Sequence, residues 1–145
     1  MLIAFTVTLG LILGSFANVV MDRLPRGETI RGRSRCDRCR RTLAWWELIP
    51  VVGAALLRYR CRTCGVRIPF RLTFVELASA ALFLLVLWRH GGDVTWGAAT
   101  DALGLWTLAL LATIDARDGI VPDAISLPTI GVLVIWQLIS RFQRQ

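Results

Sequence analysis

Four cysteines form two identical pairs, Cys36-Asp-Arg-Cys39 and Cys61-Arg-Thr-Cys64, and three acids, Asp115, Asp118 and Asp123, crowd one short segment further on. A Cys-x-x-Cys turn aims two thiolates at one centre, and a second turn about twenty residues later completes a four-sulfur shell. Zinc suits that shell, because it has no redox chemistry of its own and accepts thiolates in tetrahedral geometry. Four protein ligands leave no open position for water or substrate, so the metal would fold the segment rather than catalyse. Two disulfides, or unpaired buried thiols, are the alternative reading of the same spacing. The three acids sit where Gly119 and Pro122 interrupt a helical pattern. They read either as a polar connecting loop or as ionisable groups placed for catalysis at a membrane boundary.

The elements that must position these groups are apolar. The chain has 145 residues, 55% of them hydrophobic, a mean hydropathy of +0.59 and a formal charge of +7. A soluble domain of this size is not normally so apolar, whereas a small multi-span membrane protein is. All 17 basic residues are arginine, and 13 of them lie between Arg23 and Arg71. That concentration beside apolar segments is explained by membrane topology, so the basic charge does not call for a nucleic-acid partner.

Four spans are predicted, Leu2–Met21, Leu72–Trp88, Trp96–Ile114 and Ala124–Ser140, each near the roughly twenty residues a bilayer crossing needs. The first has no basic residue before its apolar run and no Ala-x-Ala site after it, so it reads as a retained helix rather than a signal peptide. The expected class is therefore an all-α integral membrane protein of about four helices with one zinc-ribbon-like loop. Its organisation is a first helix over 1–21, an arginine-rich four-cysteine loop over 22–71 and a three-helix membrane region over 72–145. The loop carries 13 arginines against Asp22, Glu28, Asp37 and Glu47, which places it in the cytoplasm and the N-terminus outside. The segment Asp115 to Asp123 then returns to the cytoplasmic face, and the tail from Arg141 ends outside. Cytoplasmic thiols stay reduced, which favours metal over disulfides.

Several polar residues lie within the spans. Gly10 and Gly14 are four apart with Asn18 continuing the same stripe, a pattern that permits close helix packing and a hydrogen bond across the interface. Glu76 in the second span requires a partner, for which Arg71 or Arg23 is expected. Asp101 falls near the outer end of the third span, and His90 in the preceding turn is expected to be solvated.

In order along the chain, these motifs resemble those of bacterial prepilin peptidases, the type IV leader peptidases. Gly14-Ser-Phe-Ala-Asn18-Val-Val-Met-Asp-Arg23-Leu-Pro25-Arg-Gly27-Glu28 is similar to the family's opening. Leu43-Ala-Trp-Trp-Glu-Leu-Ile-Pro50 resembles the stretch between its cysteine pairs, and Cys64 to Glu76 the segment leading into its second helix. Asp115-Ala-Arg-Asp-Gly-Ile-Val-Pro-Asp123 resembles its first catalytic-aspartate motif, in which the first acid is the catalytic one. The resemblance implies an aspartic endopeptidase of the bacterial inner membrane that removes basic leaders from type IV prepilins and pseudopilins at the cytoplasmic face. It implies Asp115 as a catalytic residue. Many members also methylate the new N-terminus with S-adenosylmethionine.

The family uses a second aspartate in a Gly-x-Gly-Asp motif on a later helix, and no such string occurs among these 145 residues. His90-Gly-Gly-Asp93 is the nearest, but it precedes Asp115 and is expected on the opposite side of the membrane. Aspartic proteolysis needs one ionised and one protonated carboxylate in close approach. Asp101 is fourteen residues from Asp115, or about 20 Å along a helix. Asp118 and Asp123 are nearer, but neither is the residue the family uses. The expected function is thus leader-peptidase chemistry with a second aspartate supplied by a separate chain or segment. The rival is a catalytically dead membrane scaffold that keeps the zinc loop as a pilin-binding module.

Overall fold

The computed structural model describes the backbone of residues 1–142, and side chains through residue 136 except at 124 and 133. Among the described residues five α-helices follow in order: α1 (Leu2–Arg23), α2 (Val52–Leu56), α3 (Phe70–Arg89), α4 (Trp96–Asp118) and α5 (Asp123–Phe142), with short 3-10 turns at Leu24–Arg26 and Trp45–Leu48. There is no strand among the described residues; single antiparallel bridges, Arg35 with Thr42 and Arg60 with Arg67, are the only β pairing there. Three helical stretches, Leu2–Arg26, Phe70–Arg89 and Trp96–Asp118, are long and apolar enough to cross a membrane. The predicted fourth span, Ala124–Ser140, falls within α5, whose described apolar stretch is the shorter Ile125–Trp136. The extreme tail, residues 143–145, lies outside the described residues.

The closest packing is between α1 and α3. A Cβ placed on Gly10 would lie 2.6 Å from the Ala80 Cα, and one on Gly14 the same 2.6 Å from the Glu76 Cα. One turn further on, the Asn18 Nδ2 donates to the Leu72 carbonyl at 2.9 Å. Each four-residue step up α1 is thus a four-residue step down α3, the register of an antiparallel pair whose backbones touch because glycine has no side chain. The predicted role of these residues in helix packing is met at all three positions.

Helix α4 joins through an apolar cluster of Ala17, Val20, Met21, Phe83, Val86, Ala98, Ala102, Trp106, Leu110 and Ile114. Ile114 is fully buried, at 0% exposure. The indole N–H of Trp106 donates to the Ser79 hydroxyl at 3.2 Å, which satisfies a polar group that a membrane interior cannot. Phe5, Phe74 and Leu85 project outward from α1 and α3. Outward-facing apolar residues suit helices whose solvent is lipid.

The α1–α3 contact yields a direct test. Gly14→Leu should lower stability by about 1–3 kcal/mol or more through overpacking, read as a drop in the thermal midpoint in detergent. Gly131→Leu, where an added Cβ meets nothing within 4 Å, should not. Equal midpoints for both variants would contradict the close backbone approach.

Candidate functional site

Each cysteine pair sits on a tight knuckle. In the first, the Cys36 N–H donates to the Arg41 carbonyl and the Arg40 N–H to the Cys36 carbonyl, both at 2.9 Å. The second repeats the pattern, with the Cys61 N–H on the Val66 carbonyl at 2.8 Å and the Gly65 N–H on the Cys61 carbonyl at 2.9 Å. The residue after each second cysteine is left-handed, Gly65 at φ 67° and Arg40 at φ 57°. Glycine accepts that conformation without penalty; arginine does not.

The knuckles bring all four sulfurs within 4.8 Å of one another. Cys36 and Cys64 are 3.7 Å apart, Cys39 and Cys61 3.9 Å, and no disulfide joins them. An ion about 2.3 Å from each sulfur would put tetrahedral neighbours about 3.8 Å apart. The cluster therefore has the geometry to hold a metal ion. The Cys64 and Thr63 backbone N–H groups draw the Cys61 thiol down to about 6, and the Cys39 N–H likewise lowers Cys36 against the effect of burial. For Cys64 the Val66 N–H lowers, but burial and the neighbouring thiols outweigh it and push the group up to about 11. The lowering at Cys61 and Cys36 favours the thiolate form that a metal ion binds.

Glu47, counted in the sequence only as an acid of the loop, supports the first knuckle. Its side chain is 0% exposed and takes a two-pronged contact from Arg41, Nη2 to Oε1 at 2.8 Å and Nη1 to Oε2 at 3.0 Å. The Ala44 N–H adds a third donor at 2.7 Å. These contacts, the Arg41 guanidinium first, hold the Glu47 carboxyl below the usual carboxylate range and raise Arg41 in return. On the second knuckle, Arg62 lies over the Trp46 ring at 5.9 Å. The signal for Glu47 was local, a glutamate three residues after the first position of a helical turn, where it can reach back to an N–H.

Glu76 and His90 depart from expectation. Glu76 makes no ion pair among the described residues; its Oε2 accepts the Val51 N–H at 2.7 Å. Arg71 is five residues earlier, about 140° round the helix and on another face. It pairs instead with Asp22 at 2.7 Å, while Arg23 donates to the carbonyls of Thr29, Ile30 and Arg31. His90 is not simply solvated: its Nε2 lies 3.0 Å from Asp101 Oδ2, linking the end of α3 to the start of α4.

At the opposite end Asp22 is the junction. The Oδ1 that takes Arg71 also takes Arg117 Nη1 at 3.2 Å. One carboxylate oxygen thus ties the end of α1, the start of α3 and the end of α4, and so sets Asp115 at the same end of the bundle as the four-cysteine loop. Asp115 is exposed in the last turn of α4, its carbonyl accepting the N–H of Gly119, the left-handed residue that ends the helix. Its carboxylate has no hydrogen-bond or ion-pair partner among the described residues. Asp118 lies 3.8 Å from Arg117 Nε, and Asp123 is exposed at the start of α5. Asp101 shares the continuous helix α4 and is turned to His90 at the far end.

The model of the bacterial peptidase A24 N-terminal domain matches residues 8–90, more than half of the chain. The chain belongs to this family. Proteins named prepilin leader peptidase/N-methyltransferase are similar over most of it. The one from Myxococcus xanthus is 43% identical over 125 residues, 86% of this chain and 37% of the relative. Those from Pseudomonas putida and Neisseria gonorrhoeae are 34% and 32% identical, covering 87% and 92% of this chain. The chain spans 51% and 55% of the length of those two relatives. No solved structure matches it.

The pH dependence of the Glu47 contact has a definite sign. A carboxylate whose folded pKa is depressed stabilises the fold above its ordinary value of 4.5, and that contribution disappears as pH falls through the folded value. Glu47→Gln should therefore have a lower thermal midpoint than the parent at about pH 7, and the gap should close as pH falls below the ordinary carboxylate range. A gap that persists undiminished in acid would show that Glu47 acts by packing rather than charge.

Proposed function

We propose that this chain forms the membrane-embedded amino-terminal part of a prepilin leader peptidase/N-methyltransferase, with Asp115 as one member of its aspartyl pair. The Asp22 junction carries the reading, since it sets the end of α4 that bears Asp115 beside the four-cysteine loop. The relatives' names supply the reaction, cleavage of a prepilin leader; type IV prepilins or pseudopilins are the substrates that the resemblance implies. Methyl transfer, where it accompanies cleavage, would draw on S-adenosylmethionine. The proposed setting is the bacterial inner membrane, with the N-terminus outside and both the arginine-rich loop and Asp115 cytoplasmic. Thirteen arginines in the loop support that orientation. The proposed units are the first helix to residue 21, the four-cysteine loop over 22–71 and the remaining helices from 72 onward.

Cys36, Cys39, Cys61 and Cys64 are proposed to hold one structural zinc. The sulfur spacing fits a tetrahedral ion, and a loop of about fifty residues has too small a core to fold without a staple. Purified protein should contain about one zinc per chain, and Cys36→Ser should lose it, both measured by elemental analysis. Zinc-free protein with its thiols mapped as disulfides would refute the assignment.

A carboxylate cannot be base and acid in the same step, so Asp115 requires a second acid. These 145 residues expressed alone should leave a prepilin uncut. Co-expression with a segment bearing Gly-x-Gly-Asp should bring cleavage, and Asp115→Asn should abolish it. Asp118→Asn and Asp123→Asn should cost less. Leader removal is read by mobility shift and N-terminal sequencing. Cleavage by the isolated chain that survives Asp115→Asn would overturn both the residue and the two-acid requirement.

A further inference from the structure

The stretch between the cysteine pairs contains a turn with unusual backbone. Val51 has φ 63° and ψ −52°, and the Val52 N–H reaches back to the Pro50 carbonyl at 2.6 Å. That is a γ-turn of the rarer, positive-φ kind, strained for any residue and more so for a β-branched one. A hydrogen bond ties the turn to α3. The Val51 N–H is donated to Glu76, six residues into α3 and about 9 Å along its axis. Allowing for the reach of the glutamate side chain toward the helix start, the turn lies beside the first two turns of α3 rather than beyond its end.

Leu48, Ile49, Val52 and Leu56 of this turn and of α2 are exposed, Leu56 at 67%, and Trp45 precedes them. The backbone, by contrast, is satisfied. The Gly53, Ala55 and Leu57 N–H groups donate to the carbonyls of Ile49, Val51 and Gly53. Apolar side chains facing out over an internally bonded backbone suit hydrocarbon, where unpaired N–H and C=O groups are costly. Arginines border the segment on both sides, Arg40 before it and Arg58, Arg60 and Arg62 after it, a charge that matches anionic headgroups.

From this depth, apolarity and charge we infer that residues 45–57 are an interfacial anchor. The turn and α2 insert their apolar side chains into the lipid beside α3, and Glu76 sets how deep they sit. The inference rests on α3 being a membrane span, and the four-cysteine loop would then be held against the membrane surface rather than hanging from two flexible ends.

Photocrosslinking of the full chain in phosphatidylethanolamine–phosphatidylglycerol vesicles tests it. p-Benzoyl-phenylalanine replaces Val52, Leu56, Arg33 or Phe74 singly; Phe74 is 63% exposed on α3 and serves as the lipid-facing reference. Lipid adducts at Val52 and Leu56 in yields matching Phe74, and none at Arg33, are the expected result. Adducts at Phe74 but none at Val52 and Leu56 would overturn the anchor and leave the span intact. Protein adducts in place of lipid at those two positions would likewise overturn it, in favour of a protein interface. Failure at Phe74 as well would remove the span and the anchor together. A second variant, Glu76→Gln, keeps the side-chain shape with a weaker acceptor and should reduce lipid adducts at Leu56 while leaving those at Phe74 unchanged. An undiminished yield at Leu56 would show that Glu76 does not set the depth.

Discussion

The backbones of α1 and α3 touch at Gly10 and Gly14, and the placement of the polar groups at the Asp22 end follows from that contact. Helices packed through larger side chains sit about 8–10 Å apart at their axes. Two glycines one turn apart remove the spacer and fix the register. Asn18 then meets the Leu72 carbonyl, and Asp22 comes within reach of Arg71. Slide either helix by one residue and every one of these pairs is rotated out of line. The contact thus acts as a ruler from which the positions of the Asp22 junction and of Glu76 are measured.

The polar contacts above that ruler are arranged so that backbone, not charge, satisfies the carboxylate buried within α3. Glu76 accepts an N–H from Val51, and Glu47 combines an N–H with a guanidinium. The exposed arginines pair with Asp22 at the rim, where water can share the charge. An ion pair placed at Glu76 would have to desolvate two groups instead of one. The hydrogen bond there also links α3 to the loop that carries the four cysteines.

Much of this was legible in the sequence. The long helices followed from hydropathy, the small-residue stripe announced a close helix contact without naming its partner, and the cysteine spacing announced the sulfur cluster. These signals are local or periodic. The misreadings share one cause: they concern which partner a polar group chooses on another element. Glu76 was matched to Arg71 or Arg23, but Arg71 is on the wrong face of the same helix, Arg23 turns to loop carbonyls, and a turn twenty-five residues away supplied the donor. Asp22 looked like one acid among many arginines, and nothing in the spacing showed that Arg117, ninety-five residues later, would share its oxygen. Asp115 was singled out by its motif, and neither spacing nor composition could show which way it faces.

That facing follows from its neighbour. Ile114 is wholly enclosed by the cluster that includes α1 and α3 residues, and successive residues on a helix point about 100° apart. With Ile114 locked inward, α4 cannot roll to hide the next side chain without tearing its own core. The direction in which the Asp115 side chain leaves α4 is therefore fixed, like a mark on a shaft that is keyed in place. Whatever group comes to meet it arrives from the open flank, and the three packed helices serve as the wall against which that approach is made.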